Sequence, residues 1–204
     1  MMDLARRFCV PVIQTRPKGA RLLEGFSPKL KRRVQLYDYS CFSVWIRLEA
    51  DPRILTFGER AAPIGSPDRH ALIDFWVLLA DGGEYFCIVG NNDAPDRPIT
   101  LHDLTVHYVQ DAELAADSVW VANWQRILSV VNASQSMLDS ALMKLIRASV
   151  KQPVALGRLE AQFACGDPVR VRAVIFELLR KGQLAAPDLR LRALSLYTPV
   201  EAPT

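Results

Sequence analysis

Two apolar runs separated by a tight turn constrain this chain more than any other feature. Ala71 to Leu79 contains Leu72, Ile73, Phe75, Trp76, Val77, Leu78 and Leu79, and Glu84 to Val89 returns with Tyr85, Phe86, Cys87, Ile88 and Val89. Between them, Asp81-Gly82-Gly83 is a hairpin-turn signal. Near-continuous apolar character belongs to strands covered on both faces, so the pair predicts the centre of a sheet with helices against it. Asp74 stands inside the first run. A carboxylate in such a strand needs a compensating donor, a cation or solvent.

The flanking sequence extends this α/β pattern. Phe42, Val44, Trp45, Ile46 and Leu48 suit a buried helix from Ser40 to Glu49, stopped at Asp51-Pro52 because proline disfavours a helical predecessor. Ile54 to Phe57 and Ala61 to Ile64 read as short strands joined by a polar connection, and Leu104 to Val109 as a further strand. Ala112 to Val131 and Ser136 to Val150 carry apolar residues at helical spacing, including a Trp120/Trp124 pair that suits core packing. Leu156 to Phe163 predicts a short helix. An amphipathic helix from Val169 to Lys181 follows, with Asp167 as N-cap, Pro168 at its first position and Gly182 closing it. Leu189 to Leu194 alternates and reads as a half-exposed strand, so that helix, turn, helix and ribbon form a small winged-helix-like module.

Charge divides the chain more sharply than its net +3 indicates. Residues 1–35 carry nine basic side chains against Asp3 and Glu24, a net of +7. Residues 36–118 carry a net of −9, and residues 119–204 a net of +5. The first 35 residues have no sustained period and read as an extended basic arm. The expected organisation is thus an arm over 1–35, a core over 36–150 and a C-terminal module over 151–204. Segregated basic ends around an acidic middle fit a polyanion partner.

Several chemistries are excluded by pattern. Cys9, Cys41, Cys87 and Cys165 are widely separated, with no CxxC and no histidine at zinc spacing. Cys41 and Cys87 read as small buried hydrophobes, and the cysteine usage suits a reducing cytoplasm. No glycine-rich phosphate loop, GxSxG or HExxH is present, and His70, His102 and His107 read as loop or strand-edge residues. No apolar run approaches the ~20 residues that span a bilayer, and the first 21 residues make a poor signal peptide. The expectation is a cytoplasmic chain with no membrane association.

A run of matching stretches then bears on family. Gly25-Phe26-Ser27-Pro28, Lys31-Arg32-Arg33-Val34-Gln35-Leu36 and Leu48-Glu49-Ala50-Asp51-Pro52-Arg53-Ile54 are followed by Phe57-Gly58-Glu59-Arg60 leading to Pro63-Ile64. Ile73-Asp74-Phe75 precedes the Asp81-Gly82 turn, and Leu178 to Leu184 precedes Asp188-Leu189. In this order the features resemble the TnsA-like proteins, endonuclease subunits of heteromeric cut-and-paste transposases. The resemblance covers roughly residues 25–200. It implies a restriction-endonuclease-like core, a mixed sheet with flanking helices, in which a helix glutamate, a strand aspartate and an acid or amide on the returning strand bind Mg²⁺ and a lysine two positions later orients or activates the attacking water. Mg²⁺ takes oxygen ligands and lowers the pKa of its bound water.

This sequence departs from that pattern. The helix slot, about three turns before Asp51-Pro52, falls near Cys41 or Phe42, and the returning strand reads Phe86-Cys87-Ile88-Val89 without acid or lysine. Glu49 lies at the far end of the helix, and Glu84 several residues early with Phe86 where a lysine would follow. Only Asp74 matches. The resulting expectation is a catalytically inactive subunit, with no cofactor, that binds transposon DNA and/or the transposase subunit and its AAA+ transposition ATPase. Its DNA contacts would be Lys29, Lys31, Arg32 and Arg33 in the arm and Arg170, Arg172, Arg190 and Arg192 in the C-terminal module. Two alternatives remain open: a Mg²⁺-dependent endonuclease using Asp74 with relocated ligands, and a winged-helix DNA-binding regulator.

Overall fold

Alternating burial gives part of the basic N-terminal stretch a structure of its own. In the computed structural model, which describes residues 8–64, 71–90, 99–164 and 166–203, strands β1 (Leu23–Ser27) and β2 (Arg32–Leu36) pair antiparallel, with Gly25 opposite Val34 and Ser27 opposite Arg32. Val34 and Leu36 are buried while Arg33 and Gln35 are exposed. The extended arm expected through residue 35 is therefore a hairpin over its last third. Its inner face holds polar Ser27 and Arg32, whose burial depends on partners distant in sequence, so hydropathy did not reveal it. Arg6 and Arg7 lie outside the described residues, as do His70, Cys165 and the segments 65–70 and 91–98.

Helix α1 (Tyr39–Ala50) follows, started by Asp38, whose Oδ1 accepts from the Cys41 N–H at 2.6 Å. The two runs expected at Ile54 and Ala61 form one strand, β3 (Ile54–Ile64). The polar connection between them is a bulge: Glu59 pairs with Phe75 and Ala62 with Ile73, leaving Arg60 and Ala61 opposite Asp74 alone. Arg60 takes φ 49° there. Strands β4 (Ala71–Leu79) and β5 (Glu84–Val89) form the expected hairpin, Gly82 supplying φ 89° in the turn. Then come β6 (Ile99–Leu101), β7 (Leu104–Val109) and the short helix α2 (Asp111–Ala116). The sheet order is β3-β4-β5-β7-β6, with β5 and β7 parallel and the other pairings antiparallel, a five-stranded mixed sheet.

A core of Ala61, Ala62, Ile73, Trp76, Leu78, Phe86 and Val106 covers this sheet, and Phe8 completes it. The Phe8 ring meets Phe86 edge-on at 5.0 Å between centroids. The segment after Phe8 is laid directly on the sheet: a Cβ at Gly58 would stand 2.0 Å from the Phe8 carbonyl oxygen, and the Val12 N–H donates to the Arg60 carbonyl at 3.0 Å.

The remaining elements are α3 (Ser118–Ala133), α4 (Ser140–Ser149), β8 (Val154–Ala155), α5 (Leu156–Phe163), α6 (Pro168–Arg180) and β9 (Pro199–Val200). The expected start of α6 is found, with Asp167 Oδ1 accepting from the Val169 and Arg170 N–H groups, each at 3.1 Å. Val171, Ala173, Val174, Ile175, Phe176, Leu178 and Leu179 are all buried, which makes α6 a central helix packed by α3, α4 and α5. The chain divides into compact units after Ala116, one holding residues to 49 and 53–116 and the other 50–52 and 117–204. Helices α3 and α4 pack on α6, and both fall in the second unit, whereas the organisation expected from sequence places them in the core over 36–150.

The strand expected over Leu189 to Leu194 is absent. A 3-10 turn (Pro187–Arg190) leads into a loop, and β9 pairs with β8. The reason is Asn123, buried on α3. Its Nδ2 donates to the Leu189 and Arg192 carbonyls at 2.8 and 2.7 Å, and its Oδ1 accepts from the Leu194 N–H at 2.7 Å. Backbone groups that a ladder would use are already paired. Among the described residues no helix is long and apolar enough to cross a membrane.

Candidate functional site

Three elements converge on Asp74. The Asp38 cap fixes the first turn of α1, and this brings Cys41 Sγ within 3.5 Å of Asp74 Oδ1, to which the thiol donates. The bulge in β3 faces Asp74 from one neighbouring strand, a feature that recurs beside functional sites. From β5 the Val89 N–H donates to Asp74 Oδ2 at 2.8 Å. Burial raises the Asp74 pKa to about 6 against the opposing pull of these two donors, and the Asp38 carboxylate raises it further. Burial also pushes the Cys41 and Cys87 thiols up, and Asp74 adds to both shifts. Cys41 is therefore a neutral donor, not a thiolate.

The residues around Asp74 do not fit a hard divalent cation. Mg²⁺ is held by oxygen ligands, whereas the nearest side chain from α1 is a thiol. Each Asp74 oxygen already accepts a hydrogen bond. Glu84 is opposite Leu78, four residues along β4, about 13 Å away at ~3.3 Å per residue. Its Oε2 accepts from Trp76 Nε1 at 2.8 Å. Glu49 hydrogen-bonds to Ser27 Oγ, and Glu59 is gripped by Arg32. Among the described residues no group of three or more His, Cys, Asp and Glu side chains could hold a metal ion.

The eight basic residues expected to contact DNA fall into two classes. Arg32 forks onto Glu59 at 2.6 Å to each oxygen, the carboxylate being 2% exposed, and Lys29 Nζ donates to the Leu48 carbonyl at 2.6 Å. In the C-terminal unit Arg170 pairs with Asp139 at 2.7 Å and Arg172 grips Glu160 at 2.6 and 2.7 Å. Arg190 lies 3.4 Å from Asp117 and 4.9 Å over the Trp120 ring, and Arg192 lies 3.7 Å from Asp188. Lys31 and Arg33 differ. Both are exposed, and neither has an ionic partner among the described residues.

The polar interior pairs Arg32–Glu59 and Ser27–Glu49, and the Asn123 clamp, were not predicted from sequence. Glu59 carried one signal, an acid beside Gly58 within an apolar strand, but its partner lies 27 residues upstream. The two described histidines stay outside the site: His102 and Asp103 form the β6–β7 turn at φ 51° and 67°, and His107 lies beside the Tyr85 ring at 4.5 Å. In the C-terminal unit, Arg126, Arg172, Leu156, Phe176, Leu194 and Leu196 line a cavity of about 340 Å³. Leu191 and Tyr197 stand more than four-fifths exposed on the same loop. No known protein-family profile and no curated protein matches this chain.

Proposed function

We propose that this chain is a catalytically inactive, TnsA-like subunit of a DNA transposition complex, binding DNA and docking the transposase subunit and its AAA+ ATPase. The observation that carries the reading is the Asp74 niche. The order α1-β3-β4-β5 brings a first-turn helix residue beside a strand aspartate, as a restriction-endonuclease-like core requires, but that residue is Cys41. A parallel β5–β7 pair within the mixed sheet supports the same core.

With a thiol in the helix slot and no acid or lysine at positions 86–89 of the returning strand, the Asp74 niche lacks the ligand set that would hold Mg²⁺ and activate a water. The nuclease frame then serves as a scaffold. The C-terminal unit reads as winged-helix-like: α5 and α6 are its helices and the β8–β9 ribbon its wing. Exposed Leu191, Leu196 and Tyr197 offer apolar contact area of the kind that protein partners bury. The DNA half of the reading is tested by titrating the full chain with duplex DNA over a salt series without metal. Log K is expected to fall linearly with log salt; a slope of zero removes DNA from the function.

A further inference from the structure

We infer that the β1–β2 hairpin is a rigid ribbon that grips duplex DNA by its phosphates, with Lys31 and Arg33 as the contact residues. This names the surface for the DNA-binding reading above and rests on it. The inner face of the ribbon is clamped. Ser27 bonds to buried Glu49, Arg32 forks onto buried Glu59, and Lys29 donates to the Leu48 carbonyl. Gly25 lies so close to Trp45 that a Cβ there would stand 2.2 Å from the indole ring. These contacts fix the hairpin on α1 and β3 and leave the opposite face to solvent.

That outer face presents Arg33 and the hydrogen-bonded Glu24–Gln35 pair, and the tip presents Lys31. The tip is strained: Lys31 takes φ 54°, a left-handed conformation that costs a side-chain-bearing residue about 1–2 kcal/mol. Glycine would fit better, and the residue present is a cation aimed from a turn. Arg16, Lys18 and Arg21 are exposed along the lead-in to β1. From 16 to 33 the exposed ionisable side chains are thus five cations against Glu24. None of the five cations has an ionic partner among the described residues.

Duplex DNA fits this surface better than an acidic protein does. Protein interfaces need a buried apolar centre, and the most exposed large apolar residue of the hairpin segment is Leu22, at 41%. Phosphate contacts need only cations held in a fixed register, and a two-stranded ribbon has the width the major groove admits. Arg170, Arg172, Arg190 and Arg192, each opposite a carboxylate, are poorer phosphate ligands because binding must first break an ion pair.

The test uses the full chain and a labelled duplex of mixed sequence, with binding measured from low to moderate salt. The double variant Lys31→Gly/Arg33→Gln is expected to lose about 2 from the slope of log K against log salt, about one per contact. Lys31→Gly removes the strained side chain, so an unchanged or raised melting temperature shows that the fold is kept. Arg190→Gln/Arg192→Gln is expected to keep the wild-type slope. An unchanged slope in the hairpin variant overturns this inference and leaves the DNA-binding reading standing. Failure of the wild type to bind overturns both. Competition by poly-glutamate as effective as by unlabelled duplex, at equal charge, overturns it in favour of an acidic protein.

Discussion

The two sets of basic residues expected to contact DNA, one in the N-terminal hairpin and one in the C-terminal unit, differ in electrostatic organisation. In the C-terminal unit Arg170, Arg172, Arg190 and Arg192 each face a carboxylate. In the β1–β2 hairpin the inward cation, Arg32, is neutralised by Glu59, while the outward Lys31 and Arg33 are left to solvent. Counting charge treats the regions alike. Their difference lies in where the acids fall: Asp139, Glu160, Asp117 and Asp188 sit within reach of these four arginines, whereas the hairpin draws its partner from the interior of the sheet. A surplus of cations is available to a ligand only where the fold has not already used it.

This contrast can be broken or sharpened by substitution, beginning where the change is largest. Arg32→Ala strands the Glu59 carboxylate in the interior and is expected to cost about 3 kcal/mol, read by urea unfolding. A loss under about 0.5 kcal/mol would show that Arg32 is not a structural clamp and would return it to the outward set. Asn123→Ala removes three hydrogen bonds to the 189–194 loop and is expected to cost about 2–3 kcal/mol. Hydrogen exchange at the Leu194 amide should rise with it. Protection equal to wild type would mean that the loop is held by other contacts.

Asp74→Asn carries the opposite sign. The folded-state pKa of about 6 lies above the ordinary aspartate value of 3.8, so folding favours the protonated acid. The native carboxylate costs nothing below about pH 4, progressively more as the pH rises to 6, and its full penalty above that. The amide is expected to stabilise the chain by about 2 kcal/mol at pH 8 and to be neutral at pH 4. Equal effects at both pH values would contradict a buried, cation-free carboxylate. The smallest effect belongs to Arg192→Ala: its pair is solvent-exposed and the unfolding free energy should move by less than about 0.5 kcal/mol.

Much of the frame was legible in the sequence because it follows from local rules. The Asp81-Gly82-Gly83 turn between apolar runs gave the β4–β5 hairpin, and the Asp167-Pro168 start with Gly182 gave α6. Failures came where polar side chains arrange backbone over long separations. The alternation of Leu189 to Leu194 is a genuine period-two pattern, but Asn123, some seventy residues upstream, takes the hydrogen bonds a strand needs. The hairpin of β1 and β2 was hidden because Ser27 and Arg32 face inward toward acids on α1 and β3. Arg60 joins two expected strands into one through a bulge, which no propensity marks. At the candidate site, Asp74 was visible as an acid in an apolar run. Its donors were not: Val89 acts through its backbone, and Cys41 reaches it across 33 residues.

The central claim, that a nuclease-like frame has become a binder with no metal chemistry at Asp74, is met most directly by one assay. Supercoiled and linear transposon-end DNA would be incubated with the full chain in Mg²⁺ or Mn²⁺, with and without the transposase subunit. The Asp74→Asn variant would run alongside. The expected result is DNA retained by the protein, no nicking attributable to this chain in either metal, and no difference between wild type and variant. Metal-dependent nicking by the wild type that disappears in Asp74→Asn would contradict the account.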